Sequence, residues 1–465
     1  MSNSPTLSYL LGQMAQDKEV LNGWDAVLNL LESSINTFFQ AQFDQMTGHS
    51  GEMTISRIFC GPRLPNPHGD YSVVTDFSFT LGPPHFEFTG GSNTVTVTQA
   101  ILSGSTRTGS LPASAGFDPD SCGCVANDSR VQWGQRHSID LGNHPSMTAV
   151  VQLTTVTGVV DQDQNTHTVV LDFANGAFTA NNVTIENVSS QQLSDQIKSW
   201  FMTHGVQYQV ASLSFSGNSD PSLTPTKFQF KVLKTNSGNI IVQILIVTNG
   251  TSGRSDPIVL EPVPTADGYS CSLMINSRIT FKDILCDGFN NAGKPFNLYP
   301  QSQSPTAGYT AYIAPQMHFS GSFSYGSCCN RHTVTYSLYL GGTYSGTAKN
   351  GFHLYQSITP SGNIGNTITV NADNPVSLSG SGESQTIRIT PQPPVVNVTG
   401  GASSTINDKL KSILNDDFAA AMAGISFGPV SYFALRSVLF PGNLMKMDVV
   451  EVPTDLVIVG TFQPT

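Results

Sequence analysis

The sequence predicts a β-rich α+β fold made of two halves, each with long amphipathic helices wrapped by a highly curved antiparallel sheet. Three observations predict it. Most of the 465 residues read as strands and turns, with 42 glycines and 27 prolines among them. A few segments break that pattern with helical periodicity, and the first of them carries a long apolar face. The order helix, strands, helix, strands then recurs at a period of roughly 200 residues, far too long for a solenoid. The halves would run 1–262 and 265–465.

The opening helix is expected over 22–47. Trp24, Val27, Leu28, Leu31, Ile35, Phe38, Phe39, Phe43 and Met46 recur there at three- and four-residue spacing. Asn22 would cap it, with Asp25 three residues on in place of the usual Glu, and Gly48 would stop it. The opposite face carries Asn29, Glu32, Ser33, Asn36 and Gln40. Strands are expected at 53–59, 71–79 and 94–101, then a Gly/Ser/Pro/Asp-rich loop at 103–129. Strands resume at 148–160 and 168–173 around a hairpin loop, 161–165. A second helix, 189–204, takes Ser189 or Ser190 as its cap and Gly205 as its stop, with Leu193, Ile197, Trp200 and Phe201 in one stripe. Strands follow at 206–215, 228–233 and 240–247, and 261–268 reads as a linker.

The second half repeats the order. A helix at 272–286 would turn Met274, Ile275, Ile279, Ile284 and Leu285 inward. A loop at 288–308 leads to strands at 311–323, 333–340, 367–370 and 385–389. The helix 404–423 follows, through Ile406, Leu410, Ile413, Leu414, Phe418 and Met422, and strands at 430–440 and 447–462 close the chain.

A meander with one apolar face must bury that face. The simplest cover is an amphipathic helix laid along a curled sheet, and about 25 helical residues span roughly 38 Å. Such a sheet encloses an elongated apolar tunnel. Where side chains leave it unfilled, an acyl chain fits. The candidate groove residues are Trp24, Leu28, Leu31, Ile35, Phe38, Phe39, Phe43, Trp200 and Phe201. Ordinary core is the commoner role for any one of them. Phe38 and Phe39 together widen the apolar face beyond what one sheet contact needs.

Charge narrows the partners. Lys and Arg number 21 against 32 Asp and Glu, a net charge of −11, and only 11% of residues are charged. Duplex binding needs several cations to displace counterions, so nucleic acid is disfavoured. General polybasic attraction to an anionic membrane is disfavoured as well. No apolar run reaches the ~18 residues that would span a bilayer. Residues 1–20 lack a basic segment followed by an apolar one, so the expectation is cytoplasmic synthesis and, where the protein is released, a non-classical route. The seven cysteines include Cys122 with Cys124 and the adjacent Cys328 and Cys329, and neither spacing is that of a zinc site. Free thiols, or a disulfide formed after release, are the remaining readings.

Specific residues carry a family resemblance. The run Gly23-Trp24-Asp25-Ala26-Val27 resembles the start of the bacterial tubular lipid-binding (TULIP) proteins, and more narrowly of the accessory proteins encoded beside clostridial neurotoxins. Phe433 to Asn443 and then Pro453-Thr454-Asp455-Leu456 to Gly460 resemble that family's closing strands, with Thr454 where the family often has Gly. The resemblance implies helices clasped by curved sheets twice in one chain and an apolar groove for lipid or another hydrophobic ligand. It also implies a role beside other toxin-cluster proteins, or insecticidal action of the protein's own. The family has no signature ligand residue, so no site transfers position by position.

Catalytic motifs do not survive inspection. Gly424-Ile425-Ser426-Phe427-Gly428 matches G-x-S-x-G, but a helix precedes it and a strand follows, the reverse of a nucleophile elbow. Asp161, Asp163, Asn165 and Asp172 have calcium-loop spacing but lie between strands, with Thr166 where glycine is needed. His137, His144, His167 and His332 have no partner pattern, and no P-loop or dinucleotide fingerprint occurs. The expectation is a non-enzymatic protein with no catalytic residue, metal or cofactor. The alternatives are a protein-interaction scaffold of the same fold with its groove packed shut, and a β-sandwich adhesin or carbohydrate binder.

Overall fold

The computed structural model describes residues 4–15, 19–67, 69–89, 94–112, 129–152, 166–172, 176–204, 207–214, 227–248, 261–287, 290, 297–302, 309–314, 317–340, 343–347, 351–358, 366–380, 386–390, 392, 395–400, 403–422 and 445–462. The loop 161–165, Cys122, Cys124, the motif 424–428 and the strand expected at 430–440 lie outside them. The chain begins α1 (Leu7–Met14), β1 (Ala26–Leu31), α2 (Glu32–Met46), β2 (Met53–Leu64), β3 (Tyr71–Phe88), β4 (Thr94–Pro112), β5 (Gln132–Trp133), β6 (His137–Ser138), β7 (Ser146–Gln152), β8 (Thr166–Asp172) and β9 (Ala177–Asn181). It continues with α3 (Ser190–His204), β10 (Gln207–Ser214), β11 (Lys227–Lys234), β12 (Ile240–Val247), β13 (Cys271–Ile275), a π-helix (Ile279–Cys286), β14 (Asn297–Ser302), β15 (Tyr309–Ala314), β16 (Met317–Tyr325) and β17 (His332–Leu340). It ends with β18 (Thr343–Thr347), β19 (Gly351–Ile358), β20 (Asn366–Ser379), β21 (Thr386–Ile389), β22 (Val395–Gly400), α4 (Ser404–Met422), β23 (Met445–Glu451) and β24 (Leu456–Phe462). The fold is β-rich α+β with antiparallel sheets.

Two expected helices are corrected. In the segment 22–47 only Glu32–Met46 is helical, and residues 26–31 form β1. Asn22 and Gly23 both have positive φ, so this Asn-Gly pair is a turn and not a helix cap. Likewise 272–286 divides into β13 and the π-helix. The cause is burial on both sides. Ala26, Leu28 and Leu30 face the main core, while Val27 faces a second cluster with Leu10, Leu11 and Met14 of α1. A strand covered on both faces is apolar at nearly every position, so it loses the alternation that would separate it from a helix. Helix α1, an element beyond those the sequence predicts, supplies the second cover; Thr6 caps it, its Oγ1 accepting from the Tyr9 amide at 3.2 Å.

β1 and β13 lie side by side in a six-stranded sheet ordered β11-β12-β1-β13-β24-β23. The order is palindromic: a first strand in the middle, then a later hairpin outward on each side. The register is centred on Leu28 opposite Leu273, with Val27 opposite Met274 and Asn29 opposite Ser272. Hydrogen bonds repeat the symmetry. The Leu31 amide donates to Ser270 O at 3.0 Å and the Asn276 amide to Asp25 O at 2.9 Å. The outer hairpin β23–β24 bulges between Met447 and Val449. Gly460 faces that bulge, where a Cβ would collide with the Lys446 carbonyl.

A second sheet runs β2-β3-β4-β7-β9, with β5 and β6 also paired to β4. β4 continues to Pro112, through the first part of the loop expected at 103–129. Helix α3 packs against both β9 and β2, the two edges of this sheet. Laid flat, the outer two of five strands would stand about 19 Å apart. A helix about 10 Å across can touch both only if the sheet curls around it. α2 packs against β3, β1 and β12.

Beyond β13, a third sheet runs β14-β15-β18-β19-β20-β21, with β22 paired to β20 and β16–β17 forming a hairpin. β14 occupies part of the loop expected at 288–308. The π-helix packs on β14 and β15, and α4 on β22 and β16. Residues of α2, α3, the π-helix and α4 join one continuous apolar core. Among the described residues no helix is long and apolar enough to cross a membrane.

Candidate functional site

The aromatic interior begins on α2. Ile35, Phe38, Phe39 and Phe43 fall on one face at helical spacing and are almost fully buried. Phe39 stacks on Phe86 of β3 with ring centroids 3.9 Å apart, and Phe38 lies 5.4 Å from Phe39. Farther along β3, Phe77 and Phe79 stack at 4.8 Å.

The polar face of α2 has a role that its sequence does not announce. β2 accompanies β3 only as far as Leu81 opposite Met53, which leaves the edge of β3 beyond it without that neighbour. Asn36 takes the place of a strand there. Its Oδ1 accepts from the Phe86 amide at 2.6 Å and its Nδ2 donates to Phe86 O at 2.8 Å. Glu32 Oε1 accepts from the Phe88 amide at 2.8 Å. These bonds fix the helix lengthwise on the sheet and satisfy backbone groups that would otherwise be stranded.

α3 presents Leu193, Ile197, Trp200 and Phe201 to the core. Its cap is Ser189. The Gln192 amide donates to Ser189 Oγ at 3.2 Å, and the Ser189 amide donates to Gln192 Oε1 at 2.9 Å, a reciprocal capping box. Phe201 lies 5.5 Å from Phe178 of β9, and Trp200 stacks on His204 at 4.0 Å. Arg57 of β2 donates to Ser199 Oγ at 3.0 Å, from the opposite edge of the curled sheet.

The nine candidate groove residues therefore divide. Leu28, Ile35, Phe38, Phe39, Phe43, Trp200 and Phe201 belong to the one main core. Trp24 lies across the central sheet, in the cluster beneath α1. Leu31 is half-buried at the junction of β1 and α2, outside both clusters.

A polar cluster fastens one end of the β1–β13 seam. Asp25 Oδ1 accepts from Arg278 Nη2 at 2.6 Å, and its Oδ2 accepts from the Thr248 amide at 2.8 Å. Asn276 Nδ2 donates to Glu19 Oε1 at 2.9 Å, and the Gly23 amide donates to the same Glu19 oxygen. Asp455, from the Pro453-Thr454-Asp455 run, accepts from the Ser277 amide at 2.6 Å and the Val20 amide at 3.0 Å.

Burial pushes the Asp455 carboxyl up to about 6; the Ser277 and Val20 amides pull the other way and the Glu19 charge adds to the rise. A raised carboxyl holds a proton in the folded state that the unfolded chain has already released. Its stabilising contribution is therefore complete below about pH 4 and is lost as pH rises through about 6. We expect the stability difference between wild type and Asp455→Asn to fall by roughly 2 kcal/mol from pH 4 to pH 7. Urea unfolding at a series of pH values measures this, and a difference independent of pH would contradict it.

Among the described residues Cys286, Cys328 and Cys329 are free thiols, and burial raises Cys286 to about 12. Among the described residues no group of three or more His, Cys, Asp or Glu side chains is arranged to hold a metal ion.

Known structures share this architecture. P47 of Clostridium botulinum E1 matches at TM-score 0.52 and 11% identity, covering 95% of this chain and 100% of that one. P47 from Clostridium botulinum A2 matches at TM-score 0.53 and 11% identity, covering 97% and 100%. A lipopolysaccharide binding protein reaches TM-score 0.35 at 8% identity over 95% and 99%, a likeness too weak to carry an argument. No family model matches the chain, and no curated protein matches it in sequence. The likeness to P47 of Clostridium botulinum is one of fold.

Proposed function

We propose that the protein is a non-enzymatic carrier of lipid or another hydrophobic ligand, built as two TULIP-like halves. It would act beside a bacterial toxin system as an accessory component, or as an insecticidal factor itself. The observation that carries the reading is the packing of α3 against both edge strands of one sheet, which makes that sheet a sleeve around an apolar interior. The palindromic central sheet, centred on Leu28 and Leu273, supports the two-half arrangement. So does the repeated step from central strand to inward helix, β1 to α2 and β13 to the π-helix. The place beside a toxin cluster comes from the sequence resemblance at residues 23–27 and 453–460, and the likeness to P47 is one of fold. Ligand chains would lie along the inward faces of the sheets against α3 and the part of α2 clear of the packed Phe39–Phe86 pair, each buried CH₂ contributing about 0.8 kcal/mol.

A second reading, a scaffold with its interior packed shut, is favoured by one observation: Phe39 and Phe86 are in ring contact where a groove along α2 would run. Native mass spectrometry separates the two. Lipid-stripped protein incubated with vesicles of palmitoyl-oleoyl phosphatidylcholine and phosphatidylglycerol should acquire lipid mass under the first reading. Unchanged mass would favour the scaffold.

A further inference from the structure

The inner face of β20 carries an amide with no evident purpose. Ile368, Val370, Asn374 and Val376 alternate onto the buried side of this strand. The three aliphatic residues join the main core. Asn374 is fully buried, and among the described residues neither its Nδ2 nor its Oδ1 has a hydrogen-bond partner. An unpaired buried amide destabilises a fold by about 1–3 kcal/mol. A strand on an apolar core gains nothing from it that valine would not give.

The amide also sits at a break in the sheet. One edge of β20 pairs with β22 through residues 366–371 and then with β21 through residues 376–379. Residues 372–375 fall between the two, and the Thr390 amide reaches Pro375 O there at 3.0 Å. The chain linking β21 to β22 includes Pro391, Pro393 and Pro394, which have no N–H to give. On the other edge β19 sets Phe352 opposite Asn374 in register.

We propose that Asn374 is the polar anchor of an acylglycerol site, with the acyl chain lying along Ile368, Val370 and Val376. The proposal deepens the lipid-binding reading above and rests on it. Nδ2 donates to an ester carbonyl and Oδ1 accepts from a neighbouring glycerol hydroxyl, so one ligand satisfies both atoms. A hydrocarbon without oxygen satisfies neither. A largely apolar wall with one well-placed polar group is the usual composition of a small-molecule site.

The test compares full-length lipid-stripped wild type with Asn374→Leu, using monooleoylglycerol and octadecene as probes and native mass spectrometry to measure binding. The variant should bind monooleoylglycerol about tenfold more weakly and octadecene equally well. Equal effects on both probes, or wild-type uptake of octadecene without monooleoylglycerol, overturn the anchor and leave hydrophobic-ligand binding standing. Uptake of neither probe by wild type overturns both. Asn374→Val, suited to a strand, serves if the leucine variant does not fold. Failure of both variants to fold, read by circular dichroism, would make the amide structural and overturn the anchor.

Discussion

Asp25→Ala is expected to lower the free energy of unfolding by about 3–5 kcal/mol, the range for removing one partner of a buried ion pair. Asp25 is 2% exposed and Arg278 is 19% exposed. The carboxylate accepts from Arg278, from the Thr248 amide and from Thr248 Oγ1 at 3.1 Å. Its loss leaves a largely buried guanidinium whose remaining ion partner among the described residues is Asp283 at 3.7 Å. It also leaves the Thr248 amide, at the end of β12, without its acceptor. The contacts join the start of β1 to the turn after β13, so the effect falls on the seam and not on one strand. Urea denaturation measures it. Removing both partners, Asp25→Ala with Arg278→Ala, should be less damaging than the sum of the single changes, because no charge then remains stranded. A loss below about 1 kcal/mol for Asp25→Ala alone would mean that the pair is solvated and the seam is held by its apolar faces.

Phe39→Ala is expected to destabilise the protein by about 3–5 kcal/mol, as for large-to-small changes in a packed core. Phe39 is completely buried on the inward face of α2 and contacts the rings of Phe38 and Phe86. The surrounding wall cannot collapse freely, because Asn36 and Glu32 pin the helix to the backbone of β3 at Phe86 and Phe88. The removed ring would therefore leave most of its volume as cavity. A side chain lining an open groove has fewer packed neighbours, and its truncation would lose much less. The size of the effect, read from thermal or urea unfolding, thus reports how full the interior is at this point. A loss under about 1 kcal/mol would indicate an open groove along α2.

Both predictions depend on contacts that link distant parts of the chain, and such contacts were unequally legible. The helices α3 and α4 were readable because each has one buried stripe and one polar face. Ser189 and Gln192 even spell out the capping box. The strand Ile240–Val247 was readable because its length and β-branched content leave little else. The segment 22–31 misled for the opposite reason: burial on both faces put apolar residues at helical spacing by default. The Asn22-Gly23 turn was the available signal. α1 is short, and its role appears only once the central sheet has a second face to cover. Asn36, Glu32 and Asn374 were unreadable in kind, since a polar letter gives no indication whether it meets water, an unpaired strand edge or nothing.

The sequence alone determined the β-rich class and the existence of α3 and α4, because periodicity and caps act over a few residues. Tertiary structure alone decided that β1 and β13 are central strands, that α2 stands in for a missing strand partner, and that Asn374 faces the interior. Those outcomes depend on which distant segment covers each face, and a residue's burial is a property of its neighbours in space.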